Sequence, residues 1–67
     1  MIEVTINGNR RQVEPGQTLA EFLNGLRLEP RTVVIERNGE IIARDRLAET
    51  PVAEGDTLEI VQMMAGG

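Results

Sequence analysis

Thr18-Leu19-Ala20-Glu21-Phe22-Leu23-Asn24-Gly25-Leu26 is the stretch on which the fold turns. Threonine followed three residues later by glutamate is a capping box, in which the hydroxyl accepts from one orphan amide at the helix start and the carboxylate from another. Leu19, Phe22, Leu23 and Leu26 recur at helical spacing and make one apolar stripe about two turns long. A helix this short is unstable in isolation, so the stripe must lie against a sheet. With so few apolar residues it covers one face only, which makes the architecture two-layered α+β. Gly25 weakens the last turn, and Pro30 is expected to prevent the helix from continuing.

On the N-terminal side, Ile2, Val4 and Ile6 alternate with Glu3 and Thr5, the period-two pattern of a half-buried strand. Asn7-Gly8-Asn9 reverses the chain, because Asn-Gly takes positive φ at low cost. Arg10 to Glu14 returns beside the first strand with Val13 as its clearest inward residue, and Pro15-Gly16 ends the hairpin. On the C-terminal side, Val33-Val34-Ile35 opens a third strand rich in β-branched residues. Asn38-Gly39 turns Val33 to Arg37 back onto Glu40 to Ala43. Arg44 to Glu49 is polar apart from Leu47 and Ala48 and reads as an irregular crossing or a single helical turn. Glu54-Gly55-Asp56 leads into a last strand, in which Leu58 and Ile60 face one way and Thr57, Glu59, Val61 and Met63 the other. Asp56 is expected to fix that turn through its own backbone. The order is strand, strand, helix, strand, strand, strand, a mixed sheet of about four to five strands with one main helix on one face.

Sixty-seven residues allow one domain with a thin core. Ordering costs about 1.5 kcal/mol per residue, and burial at this size only just offsets it. The absence of cysteine excludes disulfides, a thiolate nucleophile, a side-chain persulfide and zinc ligation through sulfur. The absence of histidine removes the side chain best suited to acid-base work near neutrality. Phe22 is the only aromatic residue, so there is no base-stacking platform, and a net charge of −4 repels phosphate backbones. Nucleic-acid binding is not expected. All seven cationic residues are arginine, which leaves the α-amine of Met1 as the one amine of the chain. With no charged-then-apolar leader and no apolar run of membrane-span length, a cytoplasmic protein without membrane partners is expected, monomeric when free. Asp45 and Glu49 have the i,i+4 spacing of a paired carboxylate site, but an exposed polar segment accounts for them. No metal site and no catalytic side chain is assigned.

What remains is the ending. Residues 1–63 form the expected domain and residues 64–67, Met64-Ala65-Gly66-Gly67, a flexible tail. Glycine has no Cβ, so its backbone can thread a narrow slot and approach a nucleotide closely. Met63 to Gly67, fully extended, reaches at most about 17 Å. The tail reads as Gly67 presenting its carboxylate to a partner while Met64, Ala65 and Gly66 thread into that partner; the bland alternative is a frayed polar end. An α-carboxylate is ionised at neutral pH and inert toward nucleophiles, so it must be activated to react.

The hairpin, the Gly16-Gln17-Thr18 start of a short helix, Asn38-Gly39-Glu40, the Glu54-Gly55-Asp56 turn before a hydrophobic strand and the final Gly66-Gly67 follow one another across the whole chain. Together they resemble the ubiquitin-like β-grasp sulfur carriers, and the stretch from Val33 to Arg44 favours those of thiamine biosynthesis. The resemblance implies that an E1-like adenylyltransferase, using ATP and Mg²⁺ held in its own site, converts the Gly67 carboxylate into an acyl-adenylate. It implies further that sulfur from a cysteine-derived donor system displaces AMP to leave a thiocarboxylate on Gly67, and that a thiazole synthase receives the sulfur. The chain would then be a carrier co-substrate and not an enzyme, with no bound cofactor. The same fold also serves carriers for molybdopterin, tRNA thiolation or cysteine synthesis, and ubiquitin-like modifiers. A reading from another class is a non-covalent β-grasp interaction module with an incidental diglycine.

Val34, Val61 and Met63 fall by strand alternation on the sheet face opposite the helix. They are the candidate partner-docking residues, since a two-layer fold leaves this face uncovered. The alternative places them at a sheet edge or under the 44–54 segment. Met64 fits a core gap as easily as it fits several partners.

Overall fold

The computed structural model describes residues 1–63. Strands β1 (Ile2–Ile6) and β2 (Asn9–Val13) form an antiparallel hairpin, followed by helix α1 (Leu19–Gly25). A 3₁₀ turn over Pro30–Thr32 leads into β3 (Val33–Arg37) and β4 (Glu40–Ile42). A 3₁₀ segment, Arg44–Glu49, then crosses to β5 (Thr57–Gln62). The sheet order is β2-β1-β5-β3-β4, with β5 parallel to β1 and antiparallel to β3. The last strand in sequence is thus the middle strand of a mixed five-stranded sheet, and α1 lies on one face, as the two-layer reading expects. β4 ends at Ile42, one residue short of the expected Ala43.

Val4, Val33, Ile35 and Leu58 of the sheet meet Leu19, Phe22 and Leu23 of α1 in the core, which Leu47 and Val52 complete. Leu47 is 2% exposed, so the polar-looking crossing carries one anchoring side chain on its inner side. Backbone bonds tie this region to the helix start: Leu19 N donates to Thr50 O (2.8 Å) and Val52 N to Gln17 O (2.9 Å). The capping box forms as expected, with Glu21 N donating to Thr18 Oγ1 (3.2 Å) and Thr18 N to Glu21 Oε1 (2.9 Å).

The helix stop differs from the expectation. Pro30 is too far along the chain to cause it, and Leu26 does not extend the buried stripe but is 37% exposed at the C-cap. Arg27 enters the left-handed region at φ 62°, Leu28 N donates to Leu23 O and Arg27 N to Asn24 O, both at 2.9 Å. That bond pair is a Schellman motif, which satisfies two terminal carbonyls and turns the chain away.

Both Asn-Gly turns take positive φ at both central residues: 48° and 84° at Asn7-Gly8, 51° and 88° at Asn38-Gly39. Two-residue turns of this hand match the twist of the strands they join. Their asparagines also seat β5. Asn7 accepts from Ile60 N at Oδ1 (2.7 Å) and donates through Nδ2 to Ile60 O (3.2 Å), so its side-chain amide continues the β1–β5 pairing past the end of β1. On the other side Asn38 N donates to Thr57 O (2.8 Å) and Asn38 Oδ1 accepts from Thr57 N (2.9 Å). Asp56, 4% exposed, closes this end of the sheet. Its Oδ2 accepts from Ala53 N (2.9 Å), the expected fixing of the turn, and also from Arg37 Nε (3.1 Å), while Oδ1 accepts from Asn38 Nδ2 (3.1 Å).

Candidate functional site

The site is built on β5, because that strand carries the chain toward its final glycines. Beyond its last paired residue, Met63 N donates to Thr32 O (2.7 Å), so the strand is held to within one residue of the tail. Met64, Ala65, Gly66 and Gly67 lie outside the described residues, and the threading and carrier assignments fall there.

The face of the sheet turned away from α1 is open. Val34 and Val61 stand directly opposite each other across β3 and β5, and Val61 is 60% exposed while Val34 is half-buried. Met63, 44% exposed, follows Val61 by two positions toward the tail. All three residues assigned to docking therefore lie together beside the exit of the chain. Ile41, 68% exposed, joins the same face from β4, where it pairs with Glu36. Its place could have been found from the alternation of Glu40-Ile41-Ile42, but three residues give a weak period and two adjacent isoleucines hide it.

Glu36 is also opposite Glu59 of β5, and neither carboxylate has a cation within salt-bridge distance among the described residues. Like charges in direct cross-strand register oppose folding. An apolar patch of Val34, Ile41, Val61 and Met63 with an uncompensated anionic pair among them suits a partner surface that is apolar and carries a cation.

Among the described residues no buried side-chain nitrogen or oxygen lacks a hydrogen-bond partner. Burial of Asp56 works to raise its carboxyl, but the bonds from Ala53 N, Asn38 and Arg37 and the Arg37 charge outweigh it and hold the group below the usual carboxylate range. This is structural chemistry at the foot of β5. Arg46 meets Glu49 at 3.7 Å with both side chains 68% exposed, a pair of little energetic consequence. A shallow cleft of about 400 Å³ between β4 and the 3₁₀ segment, lined by Arg37, Glu40, Ile41, Ile42, Arg46 and Thr50 among others, borders the patch at Ile41, at the far end of β3 from the Thr32–Met63 contact. Among the described residues no cluster of three or more acidic side chains has the geometry of a metal site, and no helix is long and apolar enough to cross a membrane.

Comparison with known proteins agrees with this geometry. Residues 4–67 match the model of the ThiS family. Thiazole synthase of Paramagnetospirillum magneticum is 36% identical over 66 residues, which are 98% of this chain and 20% of that enzyme, so the chain spans about a fifth of that relative's length. Sulfur carrier protein ThiS of Bacillus subtilis is 38% identical over 50 residues, 75% of this chain and 76% of that one. The crystal structure of the thiamine biosynthesis protein ThiS from Geobacter metallireducens superimposes with a TM-score of 0.82 at 30% identity, covering 98% of this chain and all of the other. The sheet order and the one α-helix among the described residues are those of the ubiquitin-like β-grasp, and the chain belongs to the ThiS family.

Proposed function

We propose that this chain is a sulfur carrier for the thiazole moiety of thiamine, with the Gly67 carboxylate as the group that is loaded. A family match that runs through to Gly67 carries the reading. In the first step a carboxylate oxygen attacks the α-phosphorus of ATP in an E1-like adenylyltransferase and pyrophosphate leaves. Hydrosulfide delivered by a cysteine-derived donor system then attacks the carbonyl carbon of the acyl-adenylate, AMP and a proton leave, and a thiocarboxylate remains. The chain supplies no acid, base or nucleophile from its side chains and so acts as a protein co-substrate. ATP and Mg²⁺ belong to the activating partner, and dependence on ATP fits a carrier that works in the cytoplasm.

The domain's part is to hold and present. β5 is bonded on both sides, so force or motion at the tail meets a strand anchored at Asn7, Asn38 and Thr32. Threading Met64 to Gly66 into a slot costs about 1 to 2 kcal/mol of backbone entropy per residue. Docking through Val34, Val61, Met63 and Ile41 offsets that cost, since each fully covered aliphatic side chain is worth about 1.5 to 3 kcal/mol. The similarity of the chain to about a fifth of a protein named thiazole synthase supports that enzyme class as the acceptor.

Gly66→Ala tests the threading. With the cognate adenylyltransferase, ATP-pyrophosphate exchange should fall by at least about tenfold, an effect of roughly 1.4 kcal/mol, while the melting temperature stays unchanged. Full exchange activity would overturn the slot. Retention of the loaded carrier on thiazole synthase, compared with other sulfur-accepting enzymes, tests the acceptor: selective transfer elsewhere would retain the carrier and replace the pathway.

A further inference from the structure

The chain contains three Asn-Gly dipeptides, at 7–8, 24–25 and 38–39. Before glycine an asparagine amide is open to attack by the next backbone nitrogen, since no Cβ shields that nitrogen. The nitrogen bonds to Cγ, ammonia leaves, and water opens the resulting succinimide to aspartate or isoaspartate. Amide and water become carboxylate and ammonium, with no oxidant or reductant needed.

The step requires Cγ to swing onto the following nitrogen, and the structure restrains two of the three side chains from doing so. Asn38 is tied at both ends of its amide, by Thr57 N at Oδ1 (2.9 Å) and by Asp56 Oδ1 at Nδ2 (3.1 Å). Asn7 is tied likewise by Ile60 N (2.7 Å) and Ile60 O (3.2 Å). All four partners belong to β5 or to the residue that leads into it. Asn24, exposed on the last turn of α1, makes no side-chain hydrogen bond among the described residues.

We propose that Asn7 and Asn38 are latent deamidation sites gated by β5, protected while the strand is seated and modified when it detaches. At Asn38 the change also traps the open form. The amide that donated to Asp56 becomes a carboxylate facing it in a part-buried position, so two anions meet where a hydrogen bond stood. At Asn7 the lost donor faced an exposed carbonyl, and the consequence is milder. Isoaspartate at either site adds a main-chain carbon to a two-residue turn and breaks its register. If Gly67 is loaded as proposed above, modification at Asn38, in the β3–β4 turn, loosens the strand that leads into Met64–Gly67.

The test uses the full chain in mildly alkaline buffer over a urea series from zero through the unfolding transition. Deamidation at each asparagine is mapped by peptide mass spectrometry while amide exchange in β5 is followed in parallel. Without urea, Asn7 and Asn38 should react at least about tenfold slower than in the unfolded chain, the protection expected when reaction requires a sub-global opening. Both rates should rise as β5 loses exchange protection, whereas the rate at Asn24, which has no side-chain bond to β5, should follow the opening of α1 instead. Smaller protection, or rates that ignore the exchange of β5, overturns the gating. Asn38→Asp should lower the melting temperature more than Asn7→Asp at neutral pH, and the reverse order overturns the trap.

Discussion

Arg27 sits at φ 62° in the C′ position of the Schellman motif, where glycine is the residue without a steric penalty. Arg27→Gly should therefore raise stability by about 0.5 to 1 kcal/mol in chemical denaturation, since relief of the left-handed strain exceeds the entropy glycine adds to the unfolded chain. A lowered midpoint would show that the arginine side chain contributes more than its backbone costs. Asp56 gives a prediction with a pH signature. Its folded-state carboxyl lies below the usual range, so the stability it contributes is present above its unfolded pKa and is lost as pH falls through the folded value. Asp56→Asn should cost about 1.5 to 3 kcal/mol at neutral pH, the scale of hydrogen bonds to a charged group. The gap between the two proteins should narrow as pH drops below the carboxylate range; a gap independent of pH would mean that packing, and not charge, holds the turn. At this scale the sequence was only half legible. Asn7 and Asn38 announce turns by composition, but their hold on β5 depends on which strand lies beside them, and Asp56 reaches Arg37 across a separation in chain that no local pattern records.

At the scale of elements, alternation was a sufficient guide wherever a strand was long. It put Leu58 and Ile60 inward and Val61 and Met63 outward, and Val34 on the same open face, as the β3–β5 register has them. It failed for β4, where three residues left Ile41 unread, and for the crossing from Arg44 to Val52. There Leu47 and Val52 enter the core from backbone with neither helical nor strand period. The opposed Glu36 and Glu59 mark β3 and β5 as strands that give up stability on their open face. Glu59→Gln should stabilise the domain by about 0.2 to 1 kcal/mol and weaken binding to the adenylyltransferase, with the weakening less at high salt. Unchanged binding would remove the anionic pair from the docking surface. Leu58, 0% exposed, is the structural control: Leu58→Ala should cost about 2 to 5 kcal/mol, read as a loss of melting temperature.

The whole molecule is a small acidic handle around one well-anchored strand. The amphipathic stretch at Thr18–Leu26 was enough to say that a sheet with one covered face must exist, because a short helix has no other way to bury its stripe. It could not say that β5 runs parallel to β1 in the middle of that sheet, since strand order is set by tertiary packing of pieces that read alike in isolation. On the proposed function, the central position of β5 suits it to presenting the chain's end, because the strand has the exposed Val61 on its outer face and leads into Met64–Gly67. The carrier reading then rests on chemistry at one atom. Intact-mass analysis of the chain after incubation with its adenylyltransferase, ATP and a cysteine-derived sulfur source measures that chemistry directly. The account predicts a product in which one oxygen of the Gly67 carboxylate is exchanged for sulfur, absent without ATP. A chain of unchanged mass under conditions in which a known carrier is loaded would contradict it.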